Sequence, residues 1–213
     1  MLPYMKHIYL LMAIGLGLGG MILGGCSAYK PLRIQPIAAD SAVIEPDFTV
    51  SNYTVDRDQN LYFYMSRQTI DRTTGEPLEQ VAVMRVFWQP IGGRTSLNPS
   101  SINATFRYVV MTPRSAGLYE GAGFVRIYST AGSGVMLARI VDGDLRLSES
   151  TKDFHDDLGR AVFTGNFSAS LDNDTSGQIL ATQRTFFQRS LDASAGRVPP
   201  PATLPAATEP GAR

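Results

Sequence analysis

The run Ala161-Val162-Phe163-Thr164-Gly165-Asn166-Phe167-Ser168-Ala169-Ser170-Leu171 sets Phe163, Gly165, Phe167, Ala169 and Leu171 on one parity. Thr164, Asn166, Ser168 and Ser170 fall on the other. Successive side chains of a strand point to opposite faces, so this period of 2 marks a sheet with one face in a core and the other in water. The pattern recurs upstream. Ile102 to Thr112 sets Phe106, Tyr108 and Val110 against Thr105 and Arg107, and Phe124 to Ser129 alternates in the same way. Phe48 to Val55, Gln59 to Ile70, Leu78 to Gln89, Gly134 to Val141, Leu145 to Ser148 and Ile179 to Gln188 are short runs rich in β-branched and aromatic residues, which read as strands. No segment carries a strong 3.6 period.

Turn chemistry separates these runs. Asp142-Gly143 suits a type I′ hairpin, which needs positive φ at both central residues. Asp71 to Pro77 and Asp172 to Gly177 read as longer polar turns. One helical turn fits Ser150 to Leu158. The predicted fold is therefore all-β: an antiparallel sandwich or barrel of about nine strands, with the sandwich slightly preferred. Either closure shortens or removes exposed edges.

Aromatic residues locate the core. All ten Phe, the single Trp88 and six of the nine Tyr lie between Phe48 and Phe187. The expected β domain spans residues 47–191. Residues 26–46, with Pro31, Pro36 and Pro46, read as a tether that ends at most in an edge strand. Residues 192–213 hold five prolines, many Ala and Thr and no aromatic residue. Such a tail cannot bury enough apolar surface to offset its ordering entropy and is expected to be a disordered or polyproline-like extension. The chain shows no internal repeat.

The N-terminus has a different character. Lys6 is followed by Ile8 to Ile22, fifteen residues without a charge. That order belongs to a secretory signal, and the run is short for a spanning helix, which needs about 20 apolar residues. It ends in Leu23-Gly24-Gly25-Cys26, which holds the only cysteine. These four residues resemble the lipobox of bacterial lipoproteins: Leu, a small residue, Gly or Ala, then Cys. The resemblance covers the first 26 residues only. It implies a signal helix over residues 1–25, cleavage before Cys26, diacylglycerol on the Cys26 sulfur and an acyl group on its new amine. Two or more acyl chains give stable membrane attachment. The residue after the cysteine is Ser27 rather than Asp, which by the same resemblance implies the outer membrane, facing the periplasm.

Composition excludes some classes. Of 19 basic and 19 acidic residues, only Lys6 lies in residues 1–25, so the remainder is near neutral and carries no run of like charge. Nucleic-acid binding has little electrostatic support. With Cys26 lipidated, the mature chain has no thiol for a disulfide or a metal. The covalent lipid is then the only prosthetic group expected.

Few residues suggest chemistry. His155 stands in Lys152-Asp153-Phe154-His155-Asp156-Asp157, and a carboxylate–imidazole group of this kind can hold a metal or move a proton. A zinc site wants three or four ligands, and a solvated loop is the better reading. Asp172, Asp174 and Ser176, with Gly177, match the first half of a calcium loop, but Gln183 stands where its bidentate Glu belongs. A polar turn explains these residues equally well. Gly117 to Gly123 and Thr130 to Gly134 are glycine-rich without a strand-to-helix context, and read as loops. One histidine left after the expected cleavage, His155, and no nucleophile elbow argue against a serine triad. The four Asn-x-Ser/Thr sites at Asn52, Asn103, Asn166 and Asn173 read as incidental.

The resulting expectation is a lipid-anchored, non-catalytic envelope protein. Its β domain would bind a protein, a polysaccharide or a small ligand. Two other readings stand beside it: a hydrolase using carboxylates between Asp142 and Asp157, and a structural envelope component acting through its Pro-rich tail.

Overall fold

The computed structural model describes residues 30–38, 42–71, 74–87 and 102–194, with side chains to Gln188. Residues 1–25, the Leu23-Gly24-Gly25-Cys26 motif, Trp88 and the tail beyond Ser194 lie outside the described residues. Eight strands and one helix follow in order: β1 (Arg33–Pro36), β2 (Val50–Val55), β3 (Leu61–Ile70), β4 (Pro77–Val86), β5 (Ala104–Met111), β6 (Ala116–Ile127), β7 (Val135–Ser150), β8 (Arg160–Leu171) and α1 (Thr175–Ser194). Strands β2 to β7 form an antiparallel meander. β7 pairs with β8, and β8 pairs back onto β2, so seven strands close into a barrel. β1 is an extra strand, antiparallel to β8.

Closure has a topological consequence. Neighbours in an antiparallel ring alternate in direction, so an odd number of strands forces one parallel pair. That pair is β2–β8, with only Asn52↔Ser170 and Tyr53↔Leu171 in register. Two further bonds reinforce the seam. Ser51 Oγ donates to the Ser168 carbonyl at 2.6 Å, and the Asp172 amide donates to the Tyr53 carbonyl at 2.9 Å. The rest of that flank of β8 is covered by β1, from Arg33↔Thr164 to Pro36↔Ala161.

The interior is filled by side chains. The inward parity of β8, Phe163 and Phe167, meets Phe106 of β5 and Phe63 of β3 edge to face across the barrel, with ring centroids 5.9 and 5.1 Å apart. Tyr53, Met65, Met84, Tyr108, Tyr119, Met136 and Ile140 are also buried, and Leu32 and Ile34 complete the cluster at the β1 flank. A barrel of about eight strands is just wide enough for side chains to fill. Buried polar groups are mostly satisfied. Asn103 donates to the Val125 carbonyl and accepts from the Val125 amide, at 2.9 and 2.8 Å, extending the β5–β6 ladder by a side chain. That burial removes Asn103 from any surface role. The Tyr108 hydroxyl has no hydrogen-bond partner among the described groups, and burial raises its pKa.

Several expectations need correction. Ile179 to Gln188 is not a strand but part of α1. Asp172 and Asn173 turn the chain out of β8, and the Asp174 carbonyl accepts the first helical bond from the Gln178 amide at 3.0 Å. Asp174 is thus the N-cap, a position Asp favours. Thr175, Thr182 and Phe186 are buried and Ile179 is half-buried, at spacings of 4, 3 and 4 that follow the helical repeat. Two of these four are threonines, and this hid the period from a reading of apolar residues alone. Second, Gly134 to Val141 and Leu145 to Ser148 are one strand, β7. Asp142-Gly143 is an irregularity within it, where the β7–β8 register shifts between Ile140 and Asp144. Third, Gly117 to Gly123 is not a loop but the first half of β6. The segment read as a tether also contributes β1 and a bridge from Ile44 to Ile34. Ser150 closes β7, and residues 151–159 form turns rather than a helical turn.

The β6 glycines have a steric cause. A Cβ on Gly121 would stand 1.5 Å from the Asp144 carbonyl oxygen, and one on Gly123 would stand 1.9 Å from that of Asp142. β7 bulges against β6 here, and only glycine leaves room for its backbone. Gly121→Ala is expected to lower stability by about 3 kcal/mol or to prevent folding, as over-packing against backbone does. Gly134→Ala, where a Cβ meets nothing within 4 Å, should be close to neutral. Urea unfolding midpoints of the two variants test this.

Candidate functional site

A filled barrel leaves its outer wall as the place for recognition. The antiparallel register sets the outward residues of β3 to β6 in rungs. One rung is Tyr62, Arg85, Thr105 and Ala122. The next is Tyr64, Val83, Arg107 and Glu120, and the third is Ser66, Val81, Val109 and Leu118. Polarity thus grades from charged to apolar along the wall. Helix α1 packs on the apolar end, where Phe186 joins Tyr64, Val81, Val109, Met111 and Ala116 in a second small core outside the barrel. The helix covers the wall incompletely. A groove remains between its Ile179–Gln183 edge and the sheet.

The groove has two connected parts. The polar part is a cleft of about 490 Å³ bounded by Tyr62, Arg85, Arg107, Glu120 and Gln183. The apolar part continues under the helix for about 160 Å³, between Val109, Leu118, Phe186 and Phe187. Val83, Arg107, Glu120, Ile179 and Gln183 border both. Arg107 and Glu120 are joined by a 2.9 Å hydrogen-bonded ion pair. The second carboxylate oxygen of Glu120 accepts from Ser148 Oγ at 2.9 Å. The Arg85 guanidinium lies 5.6 Å from the centre of the Tyr62 ring, a cation–π distance. These side chains hold one another in place and leave donors and acceptors toward solvent.

The residues singled out in the sequence are dispersed. Asp172 is occupied by the fold. Its carboxylate accepts from Asn52 Nδ2 at 2.9 Å, from Gln178 Nε2 at 3.4 Å and from the Asp174 amide at 2.9 Å. It joins β2 to the helix start. Asp174 is the N-cap of α1 and Ser176 belongs to its first turn, rather than to a cation loop. His155 is largely exposed, 3.4 Å from the exposed Asp157. Among the described residues, no three His, Cys, Asp or Glu side chains converge as a metal site.

The carboxylates of residues 142–157 are likewise divided. Asp156 accepts from the Tyr119 hydroxyl at 2.7 Å and from the Leu158 and Gly159 amides, so it closes the β7–β8 loop over the barrel mouth. That bond and burial raise the Tyr119 pKa, burial contributing most. Asp144 is bound by Arg160 at 2.9 Å and by Arg146 at 3.4 Å. The hydrogen bond from Arg160 holds its carboxyl below the usual carboxylate range. A general acid wants the opposite shift.

The Arg107–Glu120 pair escaped the sequence reading. The two are 13 residues apart, and Glu120 sits in a glycine-rich stretch that does not look like a strand. The outward parity of Arg107 was the one available signal. Compared with protein families, with curated proteins and with solved structures, the chain matches none.

The Asp144 clasp carries a pH signature. Its folded pKa lies below the unfolded value of about 3.9, so its stabilisation is full above that value and is lost as pH falls through the folded pKa. Both partners are partly exposed, and screening limits the effect to about 1 kcal/mol. Asp144→Asn should therefore be less stable than the parent at pH 7, with the difference vanishing toward pH 2. Unfolding free energies measured across that range decide it.

Proposed function

We propose that the chain is a lipid-anchored, non-catalytic envelope protein that binds a polysaccharide strand along the groove between α1 and the β3–β6 wall. The observation that carries this reading is the Arg85–Arg107–Glu120–Gln183 rim beside an apolar floor. Sugar hydroxyls both donate and accept. Arginine offers donors in a fixed fork, glutamate offers acceptors and glutamine offers both, so the rim matches a hydroxyl-rich ligand. The apolar floor under the helix suits the carbon face of a sugar ring. The groove is open at its polar side, which favours a chain over a compact small molecule. The lipobox resemblance of Leu23-Gly24-Gly25-Cys26 supports placement in a bacterial envelope, with acyl chains on Cys26 as the anchor.

Two experiments test the two halves. Soluble cell-wall glycan fragments, titrated calorimetrically into the purified protein, should bind. Arg107→Glu should weaken that binding by about 2 kcal/mol, roughly 30-fold, because it removes a charge-assisted donor and repels Glu120. Its thermal midpoint should change little. Equal binding by parent and variant would sink the site. For the anchor, Cys26→Ser should accumulate as an uncleaved, unlipidated precursor on mass spectrometry. A Cys26→Ser protein that is still processed and acylated would refute it.

A further inference from the structure

The wall opposite the helix presents a second surface. β7 and β8 carry Val135↔Ser170 and Leu137↔Ser168, and the Tyr128 amide donates to the Leu137 carbonyl at 2.9 Å. Tyr128, Val135 and Leu137 therefore stand side by side on the outer wall. They are 55%, 53% and 51% exposed, among the most exposed large apolar side chains described. Next to them Arg126 and Arg139 are direct cross-strand partners on β6 and β7. Like charges placed directly opposite destabilise a sheet. Among the described residues, no carboxylate forms an ion pair with either guanidinium. An apolar trio beside two uncompensated guanidiniums is complementary to phosphates over an apolar layer.

Chain length supplies the second argument. The second compact unit of the chain begins at Pro31. Its backbone there is pressed on β8, since a Cβ on Gly165 would stand 2.2 Å from the Pro31 oxygen. Gly165 takes a φ of 125°, which other residues rarely adopt, so this crossing needs glycine. Cys26 stands only five positions before Pro31, a reach of about 17 Å at full extension. Leu137 stands opposite Ser168 on the neighbouring strand, three residues further along the sheet than Gly165, so roughly 11 Å from that crossing. A lipid on Cys26 keeps this crossing on β8 within one leash length of the bilayer, and the exposed patch begins on β7, the next strand over.

We propose that the outer wall of β6, β7 and β8 rests on the phospholipid surface, with Tyr128, Val135 and Leu137 at headgroup depth and Arg126 and Arg139 on phosphates. This rests on the lipid anchor at Cys26, and it turns the helix-side groove toward the aqueous phase. Amphipathic surfaces seated in this way bury their apolar face into the headgroup boundary, helped by basic residues on anionic lipid. Tyrosine suits this depth, with an apolar ring and a polar tip.

Lipidation leaves the mature chain without a thiol, so one introduced cysteine can be labelled selectively. Leu137→Cys and, on the far side of the barrel, exposed Gln68→Cys are each labelled with a fluorophore in the full lipidated protein. Both are placed in phosphatidylglycerol-containing vesicles that carry a headgroup-level quencher. The label at 137 should be quenched several-fold more than that at 68, and Arg126→Glu with Arg139→Glu should shrink the difference. Intact mass reports the acyl groups on Cys26 in the same samples. Equal quenching at 137 and 68 on acylated protein would overturn this orientation and leave the anchor standing. Absence of acyl mass would overturn both. Self-quenching at 137 without quencher lipid would place a second copy on the wall and overturn the proposal.

Discussion

The two-residue parallel seam between β2 and β8 is the contact on which the rest of the structure depends. Seven strands cannot alternate around a ring, so one pair must run the same way. Here that pair is limited to Asn52↔Ser170 and Tyr53↔Leu171. Without it β8 and β2 would present open edges, and open edges recruit other chains. The chain spends several side chains on this junction. Ser51 bonds across it, Asn52 reaches Asp172, and the Tyr53 hydroxyl donates to the Ser133 carbonyl. β1 seals what remains of the β8 flank. Residues 33–36 are therefore part of the folded sheet, as an extra strand beside the seven-strand ring.

Closure leaves the outer wall, rather than the interior, for surface chemistry. Two edge-to-face phenylalanine pairs and the buried Tyr and Met side chains occupy the interior, so the outer wall carries the variable chemistry. The seam also directs the helix. β8 ends beside β2, Asp172 ties that corner to Gln178, and α1 leaves over β2 and β3 toward β6. One side of the barrel is thereby covered and given a groove, and among the described residues no helix covers the β6–β8 side. The two proposals assign these sides to glycan and to lipid. They are compatible because the sides face away from each other.

The tight fit of β6 on β7 shows how local composition serves this closure. Gly121 and Gly123 let the β7 backbone bulge inward at Asp142 and Asp144. The bulge places Asp144 between Arg160 and Arg146, fastening the start of β8. What looks in sequence like a flexible glycine loop followed by a hairpin turn is a rigid, bent pair of long strands.

The alternation in Ala161 to Leu171 was enough to establish strands with one buried face. The parities of Phe106, Tyr108, Phe163 and Phe167 were legible because side-chain direction in a strand depends on local geometry alone. The all-β class followed from that. The tertiary structure decided what depends on distant partners. Glycines read as turns become strand when a neighbour needs their space, and a Thr-rich amphipathic segment becomes a helix once the barrel offers it an apolar wall. Arg107 meets Glu120 only because β5 and β6 fall in one register, and Asp172 becomes a corner post only because Asn52 stands across the seam. The lipobox resemblance of Leu23-Gly24-Gly25-Cys26 is the reverse case. What it implies rests on four consecutive residues, whereas the groove is assembled from separate elements that no stretch of sequence brings together.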